Sequence, residues 1–137
     1  MTWEIINPHG QPRGWNDGML APAGGRVLFV AGQTARDASG AIPRSGFAGQ
    51  FRQALANVLD VLRAAGGARE DIGRLTIYVT DLDAYRGARG ELAGVWREAM
   101  GKHYCAMALV EVKGLVDENA MLEIEATAVV PANRSRG

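Results

Sequence analysis

Disulfides, a charge excess and a membrane-length apolar run are all missing from this chain. It has one cysteine, Cys105, in 137 residues. No disulfide can form within the chain, which fits a reducing compartment. Fifteen basic and fifteen acidic residues cancel to a formal net charge of zero. Without a basic excess the sequence lacks the phosphate attraction on which nucleic-acid binding rests, so no nucleic-acid partner is expected. No apolar stretch approaches the ~20 residues needed to cross a bilayer. The opening MTWEIINPHG has no basic segment followed by an apolar one. Neither a secretory signal nor a membrane partner is therefore expected, and the expected location is cytoplasmic. Metal-ligand spacing is missing too: His9, His103 and Cys105 are scattered along the chain and do not form a compact zinc set.

What is present is an ordinary globular composition, 47% hydrophobic and 22% charged. The length implies one domain over residues 1–137, able to bury about two-thirds of its unfolded surface. The C-terminal stretch KHYCAMALVEVKGLVDENAMLEIEATAVV organises the rest. It reads as two β-runs, His103–Val112 and Met121–Val130, joined hairpin-fashion by a polar connector with Gly114, Asp117, Glu118 and Asn119. In the second run Leu122, Ile124, Ala126, Ala128 and Val130 share one face. Glu123 and Glu125 fall on the other, and spacing alone assigns those carboxylates to a solvated face.

Upstream, Thr2–Ile6 and Gly18–Pro22 read as short strands. Ala23-Gly24-Gly25 reads as a hairpin turn into RVLFVAG, Arg26–Gly32, whose apolar run suggests a strand covered on both faces. Phe47, Phe51, Leu55, Val58 and Leu62 recur at helical spacing over Gly46–Ala65, with Ser45 as N-cap and Gly66-Gly67 as stop. Its opposite face carries Gln50, Arg52, Asn57, Asp60 and Arg63. Ile72–Thr80 ends as an alternating strand. A second helix, capped by Asp81 or Asp83, runs to about Met100. Gly87, Gly90 and Gly94 within it weaken it or admit a close neighbour. Trp3 and Trp96 read as packing residues. The tail Pro131–Gly137 reads as frayed. The order β–β–β–α–β–α–β–β implies an α+β fold with both helices on one face of a mixed sheet. The other face would be bare yet partly apolar, which predicts oligomerisation.

These elements, with VAGQT at Val30–Thr34, QALANVLDVLRAAGG at Gln53–Gly67, DIGRLTIYVTDLDAY at Asp71–Tyr85, HYCAMALVEV and LEIEATAVV, make the chain resemble the Rid/YjgF family. These are small enamine and imine deaminases, many of which carry an older endoribonuclease L-PSP label. The resemblance implies a chorismate-mutase-like fold and a homotrimer with a central barrel and clefts between subunits. It implies a small-molecule ligand, an imine, enamine or related unsaturated acid, and no cofactor. The family's active-site glutamate, which orients the attacking water, falls on Glu123. Its early aromatic falls on Trp15, which keeps a ring but loses a hydroxyl. Its serine falls on Ala31, losing another. The PAR string, whose arginine clamps the substrate carboxylate, falls on Cys105, Ala106 and Met107. This places the chain in a branch lacking that arginine, and a thioether replaces neither its charge nor its donors.

Arg89 is the candidate replacement, because it falls on or near a family asparagine that lines the cleft. Cys105 beside His103 and Glu123 suggests a nucleophile and base, although a lone cysteine is usually a small buried hydrophobe. Three functions follow: an imine or enamine hydrolase acting through Glu123, an inactive metabolite-binding trimer, or a ribonuclease. The retained Glu123 favours the first. The lost hydroxyls and arginine favour the second. Zero net charge disfavours the third.

Overall fold

The computed structural model describes residues 2–132. From residue 133 onward, the tail expected to fray lies outside the described residues. Two short strands, β1 (Glu4–Ile6) and β2 (Gly18–Leu20), precede β3 (Arg26–Gln33). Then come α1 (Gly46–Ala64), a 3-10 turn (Arg69–Asp71), β4 (Ile72–Val79), α2 (Leu82–Met100), β5 (Ala106–Glu111) and β6 (Leu122–Val130). The expected α+β fold is therefore present: two helices against a mixed four-stranded sheet in the order β3-β6-β4-β5. β6 runs antiparallel to β3 and β4, and β4 runs parallel to β5.

Helical periodicity decides what the sheet buries. Phe51, Leu55, Val58 and Leu62 of α1 meet Leu75, Ile77 and Val79 of β4 and Leu122 and Ile124 of β6 in one cluster. Full burial of each such side chain contributes about 1.5–3 kcal/mol. α1 ends where Gly66 takes a left-handed φ of 84°. Ser45 occupies the N-cap position but makes no side-chain cap hydrogen bond. α2 starts at Asp81, whose carboxylate accepts from the amides of Asp83 at 2.9 Å and Ala84 at 3.3 Å. A cap of this kind contributes about 1 kcal/mol.

Several expectations are corrected. β5 and β6 are not a hairpin, because β4 lies between them. Alternation specifies which face a residue takes, not which strand is its neighbour. β5 also begins only at Ala106. His103 precedes it and places its Nε2 2.8 Å from the Ile72 carbonyl oxygen. β2 pairs with β1 rather than turning back against β3. β3 is an edge strand whose outward residues Val27 and Phe29 are 58% and 79% exposed. Its apolar run is thus covered on one face only within the chain. Gln50, assigned to the solvated side of α1, is buried. Its amide donates to the Asn119 carbonyl and accepts from the Met121 N–H, tying α1 to the start of β6. A β-carbon built on Gly87, Gly90 or Gly94 meets nothing within 4 Å, so these glycines serve no close approach inside the chain.

Candidate active site

α2, β5 and the loop before β2 enclose a cleft of about 540 Å³. Helical spacing aligns Tyr85, Arg89, Leu92 and Trp96 along one stripe of α2. Period two places Met107 and Leu109 of β5 on the cleft side of the sheet, beside Ile77. The loop adds Arg13 and Trp15.

Asn16 anchors that loop to the chain before β5. Asn16 is buried. Its N–H donates to the Cys105 carbonyl at 3.0 Å, and its side-chain amide donates to the Tyr104 carbonyl at 2.9 Å. Its side-chain oxygen accepts from Asn7 and Gln11. The neighbouring Trp15 is thereby fixed over the cleft, with its indole N–H donating to Asp17 at 3.1 Å.

The Arg89 guanidinium lies 5.9 Å from the centroid of the Tyr85 ring, a cation–π distance. Phe47 braces that ring edge-on, at 6.0 Å between centroids. Trp96 is stacked on Tyr104 at 6.1 Å with planes 7° apart. Thus Trp15, Arg89 and Met107, three of the residues singled out in the sequence, line one cleft. Arg13 and Tyr85 also line it without a mark in the sequence as site residues, and so does Trp96, which the sequence presents as a packing residue. Nothing in the sequence marks Arg13.

Cys105 does not line this cleft. Its side chain is fully buried in the core, and burial pushes its thiol up to about 12. At pH 8 the thiolate fraction is then of order 10⁻⁴, which leaves no nucleophile. An unfolded thiol ionises near 9, so the folded state favours the neutral form until pH approaches 12. Stability is therefore lost as pH rises through that window, by up to about 1.4 kcal/mol per pH unit. Urea melts at pH 8 and pH 10.5 are expected to show a steeper alkaline loss for the wild type than for Cys105→Ala.

Glu123 lies on the opposite face of the sheet. Its neighbours Leu122 and Ile124 are fully buried under the helices, and alternation turns Glu123 away from them. It stands opposite Tyr78 in the β4 register. The Tyr78 hydroxyl donates to Glu125 at 3.1 Å. Burial, that hydrogen bond and the two nearby carboxylates raise the phenol's pKa. Glu123 also lies flat against Gly32, at the irregularity between Val30 and Gln33 of β3. A β-carbon on Gly32 would come within 2.6 Å of Oε2. Ala31 adjoins this position and is exposed, and its carbonyl accepts from the Gln33 side chain at 3.1 Å. Within one chain, then, the sheet separates Glu123, Gly32 and Ala31 from Trp15, Arg89 and Met107. Among the described residues no cluster of His, Cys, Asp or Glu could hold a metal ion, and no helix is long and apolar enough to cross a membrane.

Residues 14–130 match the family profile described as endoribonuclease L-PSP. A RutC family protein of Pyrococcus horikoshii is 31% identical over 126 residues, covering 91% of this chain and 96% of that protein. The bovine 2-iminobutanoate/2-iminopropanoate deaminase is 29% identical over 105 residues, 76% of this chain and 73% of that enzyme. A crystal structure of a Rid-family protein of unknown function from Yersinia pestis superposes with a TM-score of 0.80 at 30% identity. It covers 95% of this chain and all of that one.

Proposed function

Because this chain belongs to the Rid/YjgF family, we propose that it hydrolyses a small imine or enamine of a carboxylic acid, in clefts between the subunits of a homotrimer. The observation that carries the reading is the division of the candidate residues between two faces of one sheet. The face holding Glu123 also exposes Val27 and Phe29, an apolar surface that a monomer seldom leaves open. Covering it with a second copy would bring one chain's Glu123 towards another chain's cleft.

In this reading Glu123 accepts a proton from water as the water oxygen bonds to the imine carbon. The C=N π pair moves onto nitrogen, which takes that proton and gives a carbinolamine. Its hydroxyl proton then passes through Glu123 to nitrogen as C=O forms and the C–N bond breaks, so ammonia and a 2-oxo acid leave. Arg89 supplies the cation that Met107 does not. The bovine deaminase, with its sequence likeness over 76% of this chain, supports the reaction class. A second reading, a trimer that binds a metabolite without chemistry, draws on Met107 in the cleft wall and on the hydroxyls absent at Trp15 and Ala31.

Ammonia release from freshly generated 2-aminoacrylate tests the choice. Wild type is expected to exceed Glu123→Gln by about 10²–10⁴-fold, the usual size of an acid–base contribution. Equal rates for the two proteins would leave the binding reading in place of the hydrolase.

A further inference from the structure

The cleft's walls narrow the class of ligand, an inference that rests on the cleft being the ligand site of the reading above. Within one chain the cleft measures about 540 Å³, before the neighbouring chain of that reading is placed against it, so its lining rather than its volume narrows the ligand. The side chains of Leu92, Met107 and Leu109 offer water or a polar group no hydrogen-bond donor. Position 107 decides where the polar end of a ligand goes. A thioether on the cleft wall has no donor for a carboxylate, whereas its sulfur makes favourable contacts with aromatic rings.

Positive charge lies instead on the exposed Arg13 and Arg89. Among the described residues neither is in an ion pair. Arg89 is held over Tyr85, and Tyr85 is braced by Phe47. The guanidinium is therefore pre-set rather than loose, which lowers the ordering cost of gripping an anion. The cleft's lining thus combines the exposed guanidinium of Arg89, the rings of Trp15, Tyr85 and Trp96, and the less exposed Met107.

We propose that this cleft takes a carboxylate attached to a planar aromatic or conjugated body, an aryl-bearing imino or enamine acid. Arg89 receives the carboxylate, and Met107 and the indoles of Trp15 and Trp96 receive the ring.

Calorimetric titration with three stable probes tests this: 3-phenylpropanoate, butanoate and 3-phenylpropan-1-ol. The first is expected to bind at least about tenfold more tightly than either of the others, since it alone satisfies both ends. Arg89→Ala is expected to reduce 3-phenylpropanoate to the level of the alcohol. Met107→Arg is expected to shift preference towards butanoate. Equal binding of butanoate and 3-phenylpropanoate, equal binding of acid and alcohol, undiminished binding by Arg89→Ala, or no binding of any probe would overturn the proposal. Binding requires no turnover. Ammonia release without an aryl preference would sink this inference alone, and an aryl preference without ammonia release would sink the hydrolase reading alone.

Discussion

Glu123→Gln and Arg89→Ala subunits, refolded together in equal amounts, are expected to regain about a quarter of wild-type ammonia release. The two residues lie on opposite faces of one sheet, so no single chain closes them on one substrate. In the closed ring of copies proposed above, each cleft would meet the β6 face of the next chain. A working site needs Arg89 from the Glu123→Gln chain and Glu123 from the Arg89→Ala chain. Random mixing makes that pairing at one-half times one-half of the interfaces, or about a quarter of them. Alone, the first variant falls by about 10²–10⁴-fold through loss of its acid–base group. The second falls by about 10²-fold through loss of a charge-assisted contact of about 2–3 kcal/mol. Both backgrounds are far below a quarter. If the mixture stays at the level of the separate variants, the two halves of the site do not come from different chains.

Gly32→Ala should lower kcat by about 10²-fold while changing KM little and the melting temperature by no more than about 2 °C. The glycine has no left-handed backbone to lose. The three atoms nearest its missing β-carbon all belong to the Glu123 side chain, at 2.6 Å for Oε2, 2.7 Å for Cδ and 2.9 Å for Cγ. The far end of a flexible side chain yields at about 0.5–1.5 kcal/mol if forced off its rotamer. The fold therefore tolerates the methyl, but the carboxylate does not keep its place. A shift of about 1 Å in a reacting group is enough for a loss of this size. Gly32 is in this sense a positioning residue. A purely structural role would lower the melting temperature together with activity and would leave kcat per folded molecule unchanged. Comparing thermal melts with steady-state kinetics separates the two.

The parts of the fold that were readable from sequence are those set by local period. The five apolar residues of α1, the Asp81 cap and the alternation of β6 all fell where the spacing placed them. Neighbour choice was not readable, because period two is indifferent to whether β5 or β4 lies beside β6. The burial of Gln50 was hidden for a similar reason. Its two backbone partners, Asn119 and Met121, are about seventy positions away. The RVLFVAG run suggested two covered faces, and the chain itself covers one.

In the cleft, Trp15, Arg89 and Met107 come from a loop, a helix and a strand, and the family pattern groups them although no spacing links them. Arg13 escaped because its place depends on Asn16 docking the loop against the carbonyls of Tyr104 and Cys105. No local pattern announces such a long-range contact. Cys105 shows the limit of residue type: thiol chemistry was conceivable until its full burial was seen.

The central position of β6 has a kinetic meaning as well. It is the last strand in the described chain, yet it bridges β3 and β4 in the sheet. Until Leu122–Val130 arrives, β3 has no strand partner, and β4 has only the parallel partner β5. A nascent chain can form α1 and α2 but must hold an unpaired β3 edge, with Val27 and Phe29 on it, until β6 has been made. Contacts that span this much sequence slow folding, and open edges of that kind recruit other chains meanwhile. The strand that carries Glu123 is thus also the one whose late arrival divides productive folding from aggregation.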